Sequence, residues 1–536
     1  MTNNALRFHH PIAFWLGCAG IIAGVLAHVP MFICAADMGY HMVGMPMDAT
    51  MLVGMALIPL GLLSAWYGLA PRLSLLRQDN HSGHIHFHVA DNSPLNIEHW
   101  KLVLALLVAV AVDVMKPATL GFVMPGMTAE YEITKKAAGT LALIALTGTT
   151  IGSIVWGRLA DTMGRRAAIL LSALMFIGTA ICGAMPEFKW NLVMCFLMGA
   201  SAGGLLPITF TLMAEMIPAA HRGWLLVGLG GLGTSAGYLL ASGSAAILEP
   251  LFSWRILWML GLPTGLMVIF LNRFIPESPR FLANAGLKRE ATAVLQKYNG
   301  YVTPDGKDEL AEEEVKVDSV GFRQMISGPY GKITLGLIGS GCAWGLVNFG
   351  FLLWLPTNLR TMGMSAEAAN SLLAHAGLFA LPGIATVIWL YHSWSSIKTL
   401  VLFLALTAAS LGLFFALGLL KMNSPATITL ATALLLISAS GVIAMLIPYA
   451  AEIYPVHLRG TGAGLVAASS KFGGILGAGC GVLGAFNDLA FSAAMIAIPL
   501  IVFAILLFKS GIDTKGRRLE EIHAEVVNKS SGADMA

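Results

Sequence analysis

Fourteen stretches of this chain are long and apolar enough to cross a bilayer, and that limits what it can fold into more than any other feature. They lie near 12–34, 49–70, 101–126, 138–159, 167–185, 190–217, 223–247, 255–274, 331–356, 368–391, 397–420, 426–450, 461–485 and 488–509. A spanning helix needs about 20 largely apolar residues. Lipid offers no partner for backbone polar groups, so runs of this length are read as helices. Composition agrees: 57% of the 536 residues are hydrophobic and 11% are charged, against roughly 25% charged in soluble domains. The expectation is an all-α polytopic membrane protein. A formal net charge of only +3 argues for no nucleic-acid partner. The first apolar run, Pro11 to Ala35, is too long for a cleavable signal and is read as a retained helix.

Charge placement orients the chain. Arg72, Arg77 and Lys101 follow the second run, and Arg158, Arg165 and Arg166 follow the fourth. Residues 275–330 and the tail from Lys509 are rich in both signs, whereas the loop from Ala36 to Asp48 has no base. Bases favour the cytoplasmic side, so both termini are expected there, in a plasma (inner) membrane. Six cysteines (Cys18, Cys34, Cys182, Cys195, Cys342, Cys480) show neither metal-site nor disulfide spacing.

The chain repeats itself. AEMIPAAHRG starts at Ala214 and AEIYPVHLRG at Ala451; each follows an apolar helix and precedes a Gly-rich one. Two related halves flanking a charged loop are how a duplicated transporter reads. The organisation expected is an extra hairpin and His-rich cytoplasmic linker (1–100), an N-terminal six-helix bundle (101–275), a cytoplasmic loop (276–330), a C-terminal six-helix bundle (331–510) and a cytoplasmic tail (511–536). Within the loop, KREATAVLQKY and DELAEEEVKV read as short amphipathic helices.

GRLADTMGRR, Gly157 to Arg166, lies between two helices on the expected cytoplasmic side. It resembles the signature loop of the major facilitator superfamily. PESPRFL, Pro276 to Leu282, is similar to a signature of sugar porters and organic-ion transporters. The resemblance covers Lys101 to about Leu507. It implies twelve helices in two six-helix bundles, alternating access and no enzymatic activity; the first two helices are then an addition. In the second half the corresponding loop, WLYHSWSSIK from Trp389 to Lys398, keeps only its final base.

The stretch DVMKPATLGFVMP in the first core helix resembles the D-G-x-D-x-x-x-x-G-x-x-x-P pattern of aromatic-acid and niacin-type proton symporters. Asp113, Gly121 and Pro125 fall in register; Lys116 stands where that pattern has its second acid. Residues three apart share a helical face. Pro117 frees the carbonyl of Asp113 and is expected to bend the helix. In one reading Asp113 titrates the coupling proton and Lys116 attracts a substrate anion. In the other the two are a structural pair near the membrane face. The first is preferred, because ionisable groups inside a membrane are functional by default.

The fourth core helix departs from the family: CFLMG carries Cys195 where many members have a coupling Arg. Lys116 is the base that takes over that charge. Lys471 on the eleventh core helix offers positive charge from the second half, or else snorkels or pairs with Glu452. Trp344 and Asn348, with Trp354 and Asn358 further along, suit a planar organic ligand or simply pack. His375 reads as a satisfied core residue. Asp161, Arg165, Arg166, Glu215, Arg222, Glu277, Arg280, Glu452 and Arg459 form the expected gating set, as salt bridges at helix ends that break on opening.

A second class of function comes from the front hairpin. His28, Met38, His41, Met42, Met45 and Met47 cluster on the expected outer side, and His81, His84, His86 and His88 follow in the linker. Thioether with imidazole selects Cu(I), and alternate histidines bind zinc or copper. Met also fills gaps in apolar helices. The first choice is a secondary transporter of a small organic solute, most simply a carboxylate, driven by the proton gradient with no cofactor. Copper, zinc or a metal chelate, a sugar, an organic cation, or a sensor that kept the fold are the alternatives.

Overall fold

The computed structural model describes residues 10–69, 86–89, 94–284, 287–303, 325–326, 328–420, 424–454, 456–486, 488–514, 522 and 525–526. Among these, fourteen spans are long and apolar enough to cross a membrane. In chain order the helices are α1 (Pro11–Leu26, followed by a short helix Val29–Cys34), α2 (Ala49–Leu69), α3 (Ile97–Glu130) and α4 (Lys135–Met163). Next come α5 (Arg165–Gly178), α6 (Phe188–Met216), α7 (Ala219–Phe252) and α8 (Gly261–Leu271). A short loop helix, α9 (Lys288–Lys297), precedes α10 (Gly331–Gly345), α11 (Ala366–Ser393) and α12 (Ser396–Leu419). The chain ends with α13 (Pro425–Ile453), α14 (Val456–Val482) and α15 (Leu489–Ser510).

Two compact units divide the chain. The first holds Met1–Arg222 and Ser244–Lys307, the second Gly223–Gly243 and Asp308–Ala536. The middle of α7 therefore belongs with the second unit and its ends with the first. The front hairpin is no separate segment. A Cβ at Gly17 would lie 2.5 Å from the Gly61 carbonyl, so α1 and α2 meet backbone to backbone, the close approach small residues permit in membranes. Ile58 of α2 then fills the space over Gly178 of α5, which attaches the hairpin to the first unit. Inside that unit a Cβ at Gly199 of α6 would overlap the Ala145 carbonyl of α4; in the second unit a Cβ at Gly473 of α14 would overlap that of Cys342 on α10.

Several elements differ from expectation. α3 outruns its apolar stretch because Asn96 caps it: the Asn96 side chain accepts from the N–H groups of Glu98 and His99, and His99 Nδ1 accepts in return from Asn96 N–H at 3.1 Å. This reciprocal capping satisfies donors that a bare helix start leaves open. Pro117 and Pro125 both lie within this one helix. Beyond α10 the chain winds as a π-helix over Leu346–Leu352 before Leu355–Thr361. A two-stranded antiparallel sheet, unforeseen from sequence, pairs β1 (His86–Val89) with β2 (Gly300–Thr303), His86 opposite Thr303. The loop helix expected at KREATAVLQKY is α9; DELAEEEVKV lies outside the described residues.

The sheet, α9 and the start of α3 dock on one another. Asn96 donates to the Lys297 carbonyl at 2.8 Å, Lys297 pairs with Glu98 at 2.8 Å, and the His99 and Tyr298 rings meet edge to face at 5.1 Å. Around both units, large apolar side chains such as Ile12, Leu63, Phe270, Leu483 and Phe508 stand exposed. A surface of that kind faces lipid rather than water.

Candidate functional site

Asp113 lies about 24 Å along α3 from its first residue, at roughly 1.5 Å per residue, and so near the middle of the helix rather than at its end. Lys116 Nζ is 3.5 Å from Asp113 Oδ1, and the two side chains are only 1% and 6% exposed. The ammonium also sits 3.8 Å from the centre of the Phe176 ring on α5. A cation on an aromatic face gains most where water is excluded. The pair thus lies inside the first unit, each charge held by the other and the cation further held by a ring. Cys195 is fully buried on α6 and lies against Cys182, whose Sγ meets Asn191 Oδ1 at 2.9 Å. The position where many members carry a base is therefore taken by packed thiols.

A second constellation lies where α4 turns into α5. Gly164, with φ +102°, makes that turn; a side chain there would overlap Glu277. Glu277 Oε1 accepts the backbone N–H groups of Arg165 (2.7 Å) and Ser278 (3.0 Å), and its Oε2 accepts that of Arg166 (3.3 Å). The carboxylate thereby caps α5 at the positive end of its dipole. Burial pushes its pKa up to about 7, against the lowering from these donors. Arg166 Nε donates to Asn272 at 2.5 Å, and Arg165 reaches Glu215 at 3.4 Å. The two signature motifs thus interlock. Arg222 directs its guanidinium to the Ile217 carbonyl. The side chains of Asp161, Arg280 and Arg459 lie outside the described set.

In the second unit Glu452 accepts from Tyr391 at 3.0 Å and from Thr514 at 2.6 Å. Asp513 Oδ1 accepts both the N–H and the hydroxyl of Ser396, each at 3.0 Å, at the start of α12. The expected tail therefore begins as a docked segment, with the Ile512 carbonyl held by Tyr449 at 2.7 Å. Glu277 and Asp513 play one part in their respective units: each follows the last helix of its bundle and caps the third. Their offset in sequence equals that of the two repeated motifs to within one residue. The second half has lost its loop motif and kept the carboxylate cap.

Other candidates divide. Trp344 is buried and spends its indole N–H on the Ala439 carbonyl at 2.8 Å; Asn358 donates to the Phe486 carbonyl at 3.1 Å. Trp354 is also buried. Asn348 stands part-exposed within the π-helical segment, and Lys471 is part-exposed on α14. π-helical turns gather at functional sites. His375 is exposed on α11 and bonds its own helix at Ser371. Among the described residues no group of three or more His, Cys, Asp or Glu is placed to hold a metal. His28 bonds the Gly24 carbonyl at 2.8 Å and Met42 is buried, while Met38 and His41 are exposed and Met45 and Met47 half-exposed. His81 and His84, and the side chains of His86 and His88, lie outside the described set.

Sequence reasoning missed one buried ion pair, Glu130 with Arg255 at 2.7 Å, and its neighbours Tyr131, Asn191 and Trp254. The partners are far apart in the chain, so no local pattern joins them. The one signal was Arg255, a lone base between two apolar runs.

Residues 109–526 match the family of sugar (and other) transporters. This chain belongs to that family. It is a major facilitator superfamily protein, a polytopic membrane transporter of small organic solutes and not an enzyme. The niacin transporter of Acinetobacter baylyi is 27% identical to it, over 81% of this chain and 98% of the relative. The 4-hydroxybenzoate transporter of the same organism is 28% identical over 78% and 92%. The gallate transporter of Pseudomonas putida is 26% identical over 78% and 94%. In fold it resembles the xylose transporter from E. coli in a partially occluded inward-open conformation, with a TM-score of 0.63 at 16% identity over 79% of this chain and 100% of that one. The family match begins after the front hairpin.

Proposed function

We propose that this member of the family is a proton-coupled symporter of a small organic carboxylate, aromatic in its simplest form, in a bacterial inner membrane. The observation that carries the reading is the buried Asp113–Lys116 pair at mid-depth of α3. With Asp113 ionised, Lys116 is neutralised and held on Phe176. Protonating Asp113 leaves an uncompensated buried cation, which is costly. An organic carboxylate restores the balance, so proton and anion enter and leave together. Three relatives carry niacin, 4-hydroxybenzoate and gallate by name, and carboxylates are common to all three. Within the second unit, Asn348 and Lys471 are the groups assigned to substrate contact, with alternating access as the transport mode.

The Arg165–Glu215–Glu277 cluster and the Glu452–Thr514–Asp513 cluster are assigned as latches on the cytoplasmic side, with both termini on that side by the distribution of bases. Uptake of labelled 4-hydroxybenzoate into vesicles under an imposed pH gradient tests the reading. Accumulation that collapses with the gradient and is lost in Lys116→Ala supports it. Uptake in Lys116→Ala equal to wild type contradicts it.

A further inference from the structure

Glu130, the last residue of α3, is a junction for three parts of the first unit. Its Oε1 accepts the backbone N–H of Met42 at 2.9 Å and Arg255 Nη2 at 2.7 Å; its Oε2 accepts Trp254 Nε1 at 2.8 Å. Arg255, just beyond α7, is fully buried and donates further to the carbonyls of Gly183 (3.2 Å) and Met185 (2.9 Å). The Tyr131 hydroxyl receives Arg255 at 3.3 Å and Asn191 of α6 at 2.9 Å. One polar network therefore collects the ends of α3 and α7, the segment after α5 and the start of α6.

Met42 is where the front hairpin enters this network. It lies on the loop between α1 and α2, and its side chain is buried. Two residues earlier Tyr40, at φ +63°, stacks on Phe32 (4.8 Å between ring centres) and meets Phe252, the last residue of α7, edge-on at 6.0 Å. The loop so touches the end of α3 through Met42 and the end of α7 through Tyr40.

We propose that the loop from Ala36 to Asp48 is a strap, and that Met42 acts through Glu130 as a positioning residue for the ends of α3 and α7. A carboxylate with this many donors has little freedom to turn. The Met42 N–H and Arg255 Nη2 hold Oε1 and Trp254 holds Oε2, so the two helix ends share one geometry. The hairpin is then a working part of the transporting bundle rather than an anchor added beside it. It sets how readily that end of the bundle rearranges during the cycle.

Met42→Pro deletes the one N–H and leaves the ion pair in place; Met42→Leu keeps the N–H and nearly the same volume. Hydrogen exchange on the full-length protein in lipid vesicles reads the result without a substrate. In Met42→Pro, exchange at residues 124–131 and 249–256 rises about tenfold, the scale of one lost bond to a charged acceptor, while α1 and α2 stay as in wild type and Met42→Leu matches wild type throughout. Uptake of 4-hydroxybenzoate then shows a lower maximal rate at unchanged KM. Tyr40→Ala removes the loop's other contact, the ring against Phe252, and leaves every bond to Glu130 in place; it raises exchange at 249–256 and carries the test if Met42→Pro does not fold. Faster exchange confined to residues 36–48, or none at all, overturns the proposal. If 4-hydroxybenzoate is not transported, the exchange pattern still decides the strap, and only the substrate reading falls.

Discussion

Glu277 Oε1 accepts the backbone N–H of Arg165 at 2.7 Å, so the second residue of PESPRFL caps the helix that begins at the end of GRLADTMGRR. Burial lifts this carboxyl from its ordinary 4.5 to about 7. Between those values the folded chain holds a proton that the unfolded chain has released. The group's contribution to stability is therefore full below pH 4.5 and falls away as pH rises to about 7. Relative to Glu277→Gln, the wild-type unfolding midpoint should decline from about pH 5 to about pH 8. Parallel curves would show that Glu277 does not titrate in this range.

Glu130→Ala should be far more damaging than Glu98→Ala, although each removes a salt-bridged acid. Arg255 is fully buried and would be left without its counter-charge, a loss of about 3–5 kcal/mol. Glu98 pairs with half-exposed Lys101 and Lys297, where such pairs contribute about 0–1 kcal/mol. Denaturation midpoints of the two variants in the same detergent compare them directly; equal losses would contradict the contrast.

Asp513→Ala should cost about 1 kcal/mol through loss of the α12 cap, whereas Asp513→Asn keeps an acceptor for the Ser396 N–H and should cost less. A thermal-shift series over both variants checks this. If the two behave alike, the negative charge rather than the hydrogen bond is what the second unit retains.

Trp344 and Asn348 sit on neighbouring turns of the same span but should fail differently. Trp344→Phe gives up the bond to the Ala439 carbonyl, about 1 kcal/mol of stability, with KM unchanged. Asn348→Ala should raise KM several-fold with little change in midpoint. Kinetics and midpoints measured together separate the two roles; a raised KM in Trp344→Phe would return that ring to the substrate site.

The sequence announced its membrane helices because a bilayer permits no other use for so many apolar runs, and the GRLADTMGRR and PESPRFL motifs announced the family. The Asp113–Lys116 pair was legible because its partners are three residues apart on one helix. What was hidden is long-range. Nothing local links Met42 to Glu130, or Glu130 to Arg255, and the pairing of β1 with β2 joins segments that lie far apart in the chain. The docking of Asp513 on Ser396 was equally silent, because the loop motif that would have marked it has eroded while the cap survived as a single carboxylate.

The most direct test of proton–anion coupling at Asp113 and Lys116 is the charge carried per transport cycle. Vesicles loaded with the full-length protein take up labelled 4-hydroxybenzoate under a pH gradient while the membrane potential is set independently with potassium and valinomycin. One proton per monovalent carboxylate is electroneutral, so the wild-type rate should follow the pH gradient and ignore the potential, and Asp113→Asn should uncouple uptake from the gradient. Uptake that follows the potential, or Asp113→Asn uptake that still follows the pH gradient, would contradict the account.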